Sequence, residues 1–326
     1  MPTAVETYPK PTLADLKNSM VKDGHPAKVV PDDFMYEFKY PVDLPTIERL
    51  GGYKFDIKTD TVKVAQTFVD DWQAAMANND AEAFTGLFLP DGVWRDKIVY
   101  SWEYRTFNGQ ASIAQAAEDL FPRSPSKKFR LLEPTPSIQD PYPDLNYLQL
   151  HVSFETDVVG ASAVVNLVNT ADGVKVWTLH TVIESLHEFP ELPNRDGHMV
   201  GPLSWLAQRE IDTRFDDSDP QVVIVGGGHN GLMMAARLKA LGVPALVIER
   251  NERIGDNWRK RYEALSLHFP HWADHLPYMP YPDHWPVYTP AAKLGDWLEW
   301  YASAMELYTW TDSNVTSCSQ NETTGE

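Results

Sequence analysis

The chain has 326 residues, 43% of them hydrophobic, which is enough for two domains with separate cores. Its formal net charge of -18 argues against nucleic acid and anionic membrane surfaces as partners, since both select for Lys and Arg. One cysteine, Cys318, excludes an internal disulfide, and no stretch approaches the ~20 apolar residues of a membrane span or forms a secretory leader, so the chain reads as cytoplasmic.

Residues 1–60 are proline-rich and lack sustained periodicity, apart from a short helical stretch at Thr12–Ser19, and read as an arm or linker. From there Val62, Ala65, Phe68, Val69, Trp72, Ala75 and Met76 recur at helical spacing, and Ala81–Phe88 continues as a second helix. Leu89–Gly92 reads as a turn and Val93–Asp96 as a strand, followed by aromatic Tyr100, Trp102 and Tyr104, a group that suits core better than a ligand box. Strands are predicted at Tyr147–Thr156, Ala161–Asn169 and Val174–Leu186, the last two joined by the hairpin signal Ala171-Asp-Gly173. Helices followed by long antiparallel strands predict an α+β domain over 61–200, a sheet curled around a helix.

This domain has its own candidate chemistry. Asp96 is a possible base, with Tyr100, Tyr104, His151, Glu155 and His180 as possible acids or orienting groups. His151, Ser153 and Glu155 share the face opposite Leu150, Val152 and Phe154 and read as solvent-facing. His180 shares a face with Val176 and Val182, which makes it the better pocket candidate, but a core histidine and a buried structural Asp96 are the favoured readings. Residues 201–220 supply a connecting helix, Ser204–Ile211, and an acidic linker.

The strongest motif begins at Gln221. An apolar run breaks into Gly226, Gly227, Gly228, His229, Asn230 and Gly231, a helical pattern carries Met234, Leu238 and Leu241, Gly242 stops it, and Pro244–Ile248 is a second buried strand. The three spaced glycines serve a tight turn, close approach of a pyrophosphate, and closure of helix on strand, and Glu249 follows where a ribose-binding carboxylate is expected.

Downstream stand Gly255-Asp-Asn257-Trp258-Arg, Leu265-Ser-Leu-His268-Phe269-Pro270, Leu276-Pro-Tyr-Met-Pro-Tyr-Pro282 and Leu298-Glu-Trp-Tyr301-Ala302. With the glycines, these words resemble the FAD-binding opening of flavin-containing monooxygenases, of the fungal type related to the auxin-pathway branch. The resemblance implies a Rossmann-type FAD domain over 221–326, Gly226–Gly231 around the FAD pyrophosphate, Glu249 on the adenosine ribose, and Asn257 and Trp258 against the flavin. It places His268 and Phe269 beside the isoalloxazine ring, where the family usually has Asn and a small residue, with His268 as hydrogen-bond donor in catalysis. The implied activity is an NADPH-consuming oxidoreductase that inserts one oxygen atom into a small organic substrate through a flavin C4a-peroxide. More weakly, Asp91-Gly-Val-Trp-Arg-Asp96 followed by Gly109 resembles the nuclear-transport-factor-like cones, which include ketosteroid isomerases and polyketide cyclases.

After the first βαβ unit we find no third strand, no second glycine-rich turn to hold NADPH, and no Phe-x-Gly-x-x-x-His word; the polar run Thr311–Glu326 resembles a hairpin without its return strand. A shortened family member is therefore expected, lacking its NADPH half. Two other functions are open: a non-redox cyclase or isomerase using the cone, and a non-catalytic module in which the cone forms a homodimer. Arg250, Arg253, Arg259, Lys260 and Arg261 could face phosphates, but a solvated face paired with nearby acids is the preferred reading. No metal site is expected.

Overall fold

The computed structural model describes residues 44–192 and 203–320, so Thr12–Ser19 lies outside the described residues. The chain divides into two compact units, Met1–Phe189 and Pro190–Glu326. The division falls before residue 200.

In the first unit, helix α1 (Thr61–Ala77) starts where the Asp60 carboxylate accepts from the Lys63 amide, and α2 (Ala81–Gly86) is capped likewise by Asp80. The predicted apolar stripe of α1 is buried except for Val62, which is exposed. The sheet runs β3 (Tyr104–Asn108), β2 (Phe88–Lys97), β7 (Gly173–Leu186), β6 (Val159–Thr170), β5 (Leu145–Glu155), β4 (Lys127–Tyr142). All neighbours along it are antiparallel except β2 and β7. Register shifts in β2, β4 and between β6 and β7 bend the strands. The curved sheet and α3 (Gly109–Leu120) enclose a core centred on Trp72, Phe84, Trp94, Phe121 and Phe154.

Two expectations are corrected here. The residues just before 60 are not an arm: Leu50 is buried, the Phe55 amide donates to Asn146 Oδ1, and β1 (Gly52–Tyr53) pairs with β6. Leu89–Gly92 is not a turn either. It lies inside β2, where the register shifts between Phe88 and Val93, so the Pro and Gly serve a bulge rather than a reversal.

In the second unit, α4 (Trp205–Arg214) carries no buried residue and packs on the strand that follows in space through Arg209, which donates to the Leu307 carbonyl and lies 4.9 Å over the Tyr308 ring. A parallel sheet is built from β8 (Val222–Val225), β9 (Ala245–Ile248) and β12 (Tyr308–Trp310), in the order β12-β9-β8. The expectation of no third strand is thus overturned. At three residues β12 is too short to show a period of two, and its side chains are only partly covered. Helix α5 (His229–Ala240) buries Leu232, Ala235 and Ala236, whereas the predicted Met234 is exposed. Further on come α6 (Asp256–Arg259), a ribbon of β10 (Ser266–Pro270) with β11 (Tyr288–Pro290), and α7 (Ala291–Ala304). Thr311–Gln320 has no regular structure, and the rest of the expected hairpin lies outside the described residues. Among the described residues no helix is long and apolar enough to cross a membrane.

Candidate functional site

The glycine-rich turn joins β8 to α5 at the carboxyl end of the sheet, where open α/β sheets bind their ligands. Each glycine has a distinct reason. Gly226 has φ +104°, a conformation that side chains disfavour. A Cβ on Gly231 would collide with the Gly226 carbonyl oxygen, so helix and turn close only without one. A Cβ on Gly227 would stand 2.5 Å from Ile254 Cδ1. Gly228 differs: its backbone is extended, and a Cβ there would meet only Asn257 Nδ2, at 3.4 Å. Gly228 therefore faces space that the protein leaves open. It also caps α5, whose first turn begins with exposed His229 and Asn230 and has no side-chain cap and no acidic residue. Unsatisfied amides at such an end attract anions.

Glu249 directly follows β9 and is buried, at 7% exposure. One carboxylate oxygen accepts from the Gly227 amide at 2.7 Å, and the other accepts from the Asn251 amide and side chain at 2.8 and 2.6 Å. A carboxylate offers about four acceptor positions, so one remains for a hydroxyl donor. Asn251 is a contributor that sequence reasoning missed, although Asn three residues after a strand end is ordinary turn chemistry.

Asn257 and Trp258 lie on α6, whose N-cap is Gly255 (φ +88°). A Cβ at Gly255 would strike the backbone of Gly295 in α7, which seats α6 against that helix. The structure brings Gly228, His229, Asn257 and Trp258 together: the His229 and Trp258 rings are 6.1 Å apart, and Trp258 Nε1 is buried without a partner. His268 and Phe269 are carried on a different element, β10, and both are exposed. The basic residues nearby are mostly paired. Arg253 meets Glu299 at 3.0 and 2.6 Å, Arg259 meets Asp256, Asp296 and Glu299, and Lys260 meets Asp256. The Arg253 and Arg259 partners hold the Glu299 carboxyl below its ordinary range. The main acids are thus Asp256, Asp296 and Glu299, two of them on α7.

In the cone, Asp96 is fully buried. One oxygen accepts from the Thr181 hydroxyl at 2.7 Å; the other accepts from the Tyr100 amide, the Ser101 amide and the Ser101 hydroxyl. Thr181 in turn accepts from Trp94 Nε1 at 3.0 Å. These are the surroundings of a structural acceptor. Tyr100 is buried, its hydroxyl 2.6 Å from Ser126 Oγ, and burial pushes its pKa upward. His180 is not on the inner face. Leu167 pairs with Val176 but Asn166 with Thr178, so Trp177 is an extra residue that reverses the alternation; Leu179 and Thr181 point inward, and His180 outward. Burial, with Lys97 and Arg95 nearby, lowers its pKa. His151, Ser153 and Glu155 alternate with buried Leu150, Val152 and Phe154, as expected. Tyr104 is exposed.

Residues 224–289 match the family described as an NAD(P)-binding Rossmann-like domain. The chain is 42% identical over 104 residues to a probable indole-3-pyruvate monooxygenase, YUCCA9, of Arabidopsis thaliana, a match covering 32% of this chain and 25% of that protein. It is 43% identical over 86 residues to an indole-3-pyruvate monooxygenase, YUCCA1, of Oryza sativa subsp. japonica, covering 26% and 21%. Among solved structures, an NTF-2 like protein of unknown function from Silicibacter pomeroyi aligns at 14% identity and a TM-score of 0.30, over 38% of this chain and 95% of that one. The chain spans about a quarter of the length of the curated relatives it matches. The last third of the chain is similar to flavin monooxygenases, the family that its motif words indicated.

Proposed function

We propose that the second unit binds FAD and that this chain serves an FAD-dependent, NADPH-consuming monooxygenase acting on a small organic molecule. The observation that carries the reading is the division of labour among the glycines: Gly226 and Gly231 are required by the fold and Gly227 is crowded by Ile254 and Glu249, while Gly228 is left facing open space beside an uncapped helix start. A diphosphate fits that vacancy of side chain, and the α5 amides would donate to it. Glu249 would receive a ribose hydroxyl at its remaining acceptor position while its other bonds keep Gly227 and Asn251 in place.

Asn257 and Trp258, adjacent to Gly228 and His229, would line the path from diphosphate to flavin. Phe269, 68% exposed beside His268, suits a surface that a flat ring system covers. There His268 would hold or donate a proton near the reacting centre. The flavin supplies the oxygen chemistry when bound; the protein binds it, orients it and excludes water. Among the described residues there is one glycine-rich turn before a helix, and it is assigned to FAD, so reduction by NADPH is expected to need a further nucleotide site.

The test is the absorption spectrum of the purified protein, with released flavin identified by chromatography. FAD at close to one per chain is expected. Absence of flavin, together with no saturable FAD binding in a titration, rejects the reading. Indolic α-keto acids, the class named for the relatives, are the first substrates to assay in the presence of NADPH.

A further inference from the structure

The cone carries a cavity, and it is not inside the cone. The interior is filled: Trp72, Phe84, Trp94, Phe121 and Phe154 are each at most 2% exposed and stack edge to face or tilted at 4.9 to 6.2 Å. A cavity of about 460 Å³ lies instead at the rim, between residues 98–103, the end of α3 and the Val158–Val159 turn. Its size is in the range of ligand sites.

One wall of this cavity is held under strain. Ile98 has φ +61°, a conformation that a β-branched residue adopts only when its surroundings enforce it. What enforces it is Asp96, whose buried carboxylate gathers the Tyr100 and Ser101 amides and the Ser101 hydroxyl, while Tyr100 is anchored through its hydroxyl to Ser126. A glycine would make the same bend without strain. The loop is therefore fixed in a position that also presents the Ile98 side chain, and Trp102, 76% exposed, stands beside it.

The lining decides the ligand. Ile98, Phe107, Leu120 and Val158 supply its apolar part, and Ser101, Ser124 and four charged residues supply the rest. Its charges balance: Glu103 and Arg105 neutralise each other at 2.8 Å, and Asp119 opposes Arg123 in sign. We propose that this rim cavity binds a neutral planar aromatic molecule of two or three fused rings, laid against the Trp102 indole and the aliphatic wall. The site is independent of the FAD reading.

The full chain is titrated with 2-naphthol by calorimetry and by saturation-transfer NMR, beside Trp102→Ala, Val158→Asp and Ile98→Gly. One saturable site is expected, weakened about tenfold or more by Trp102→Ala and by Val158→Asp with the melting temperature of Trp102→Ala unchanged. Ile98→Gly should melt higher yet bind more weakly, because the strain is relieved and the wall lost. Absence of saturable binding overturns the proposal, as does equal affinity in Trp102→Ala and Val158→Asp, which would put the naphthol elsewhere. Binding of 2-naphthoate more than tenfold tighter than 2-naphthol overturns the neutral-ligand assignment.

Discussion

Gly228→Val separates binding from folding more sharply than any other substitution in the glycine turn. The Gly228 backbone is extended, which any residue adopts, and the space for its Cβ touches only Asn257 Nδ2 at 3.4 Å. Folding stability should therefore fall by no more than about 1 kcal/mol, the difference between Gly and Val at a helix N-cap, because the Cβ itself meets no crowding. The same side chain would stand where a diphosphate must approach the α5 amides. Loss of two charge-assisted hydrogen bonds at roughly 1.5 to 3 kcal/mol each predicts FAD affinity lower by roughly 10² to 10⁴-fold. Gly231→Ala is the control, since its Cβ collides with the Gly226 carbonyl and should destabilise the unit itself. The assay is a thermal melt with an FAD titration of each purified variant. A folded Gly228→Val that retains wild-type flavin would refute both the geometry and the cofactor assignment.

Trp72 is 1% exposed and packs against Phe68, Phe84, Phe129 and Phe154, so Trp72→Ala should cost about 3 to 5 kcal/mol in denaturant unfolding; less than about 1 kcal/mol would mean the α1 stripe is misread. Asp96→Asn places an amide donor among the donors of Thr181, Tyr100 and Ser101 and should cost about 1 to 3 kcal/mol, whereas a stable variant would show that the carboxylate is not the scaffold of the rim loop. His180 has a folded pKa below its unfolded value near 6.5, so the unfolded chain takes up the proton first and stability should fall as pH drops below that value; His180→Gln should flatten this part of the stability curve, and an unchanged slope would argue against it. Glu249→Gln loses the charge and sets an amide donor against either the Gly227 amide or the Asn251 donors, so it should lower stability slightly, and FAD titration should show a modest loss of affinity beside that of Gly228→Val.

The elements legible in the sequence are those whose residues repeat a period. The α1 stripe, the alternation of Leu148, Leu150, Val152 and Phe154 in β5, and the βαβ pattern around Gly226 were all readable, because burial imposes a spacing that survives in one dimension. Helix α3 passed unrecognised although Ile113, Ala116 and Ala117 are spaced for it, since alanines carry little apolar signal. The long strand β4 was hidden by three prolines and its register shifts. In the nucleotide-binding unit the glycine positions and Glu249 were readable, while Asn251 and Gly295 were not: each acts on a residue made prominent by the motif, and such support is visible only once the chain is folded.

His180 shows why a periodic reading fails at one residue and then fails for all that follow. Strand alternation puts 176, 178, 180 and 182 on one face, and nothing local marks Trp177 as an insertion. The insertion exists because β7 must pair with β6 on one side and, in parallel, with β2 on the other, while the sheet bends around α1. One extra residue lets Val176 stay in the core and brings Thr181 to Asp96. His180 is turned outward as the consequence. The bulge that removes His180 from the cone's interior is thus also what completes the carboxylate scaffold under Ile98, so the rim cavity depends on the same irregularity that a two-residue period conceals.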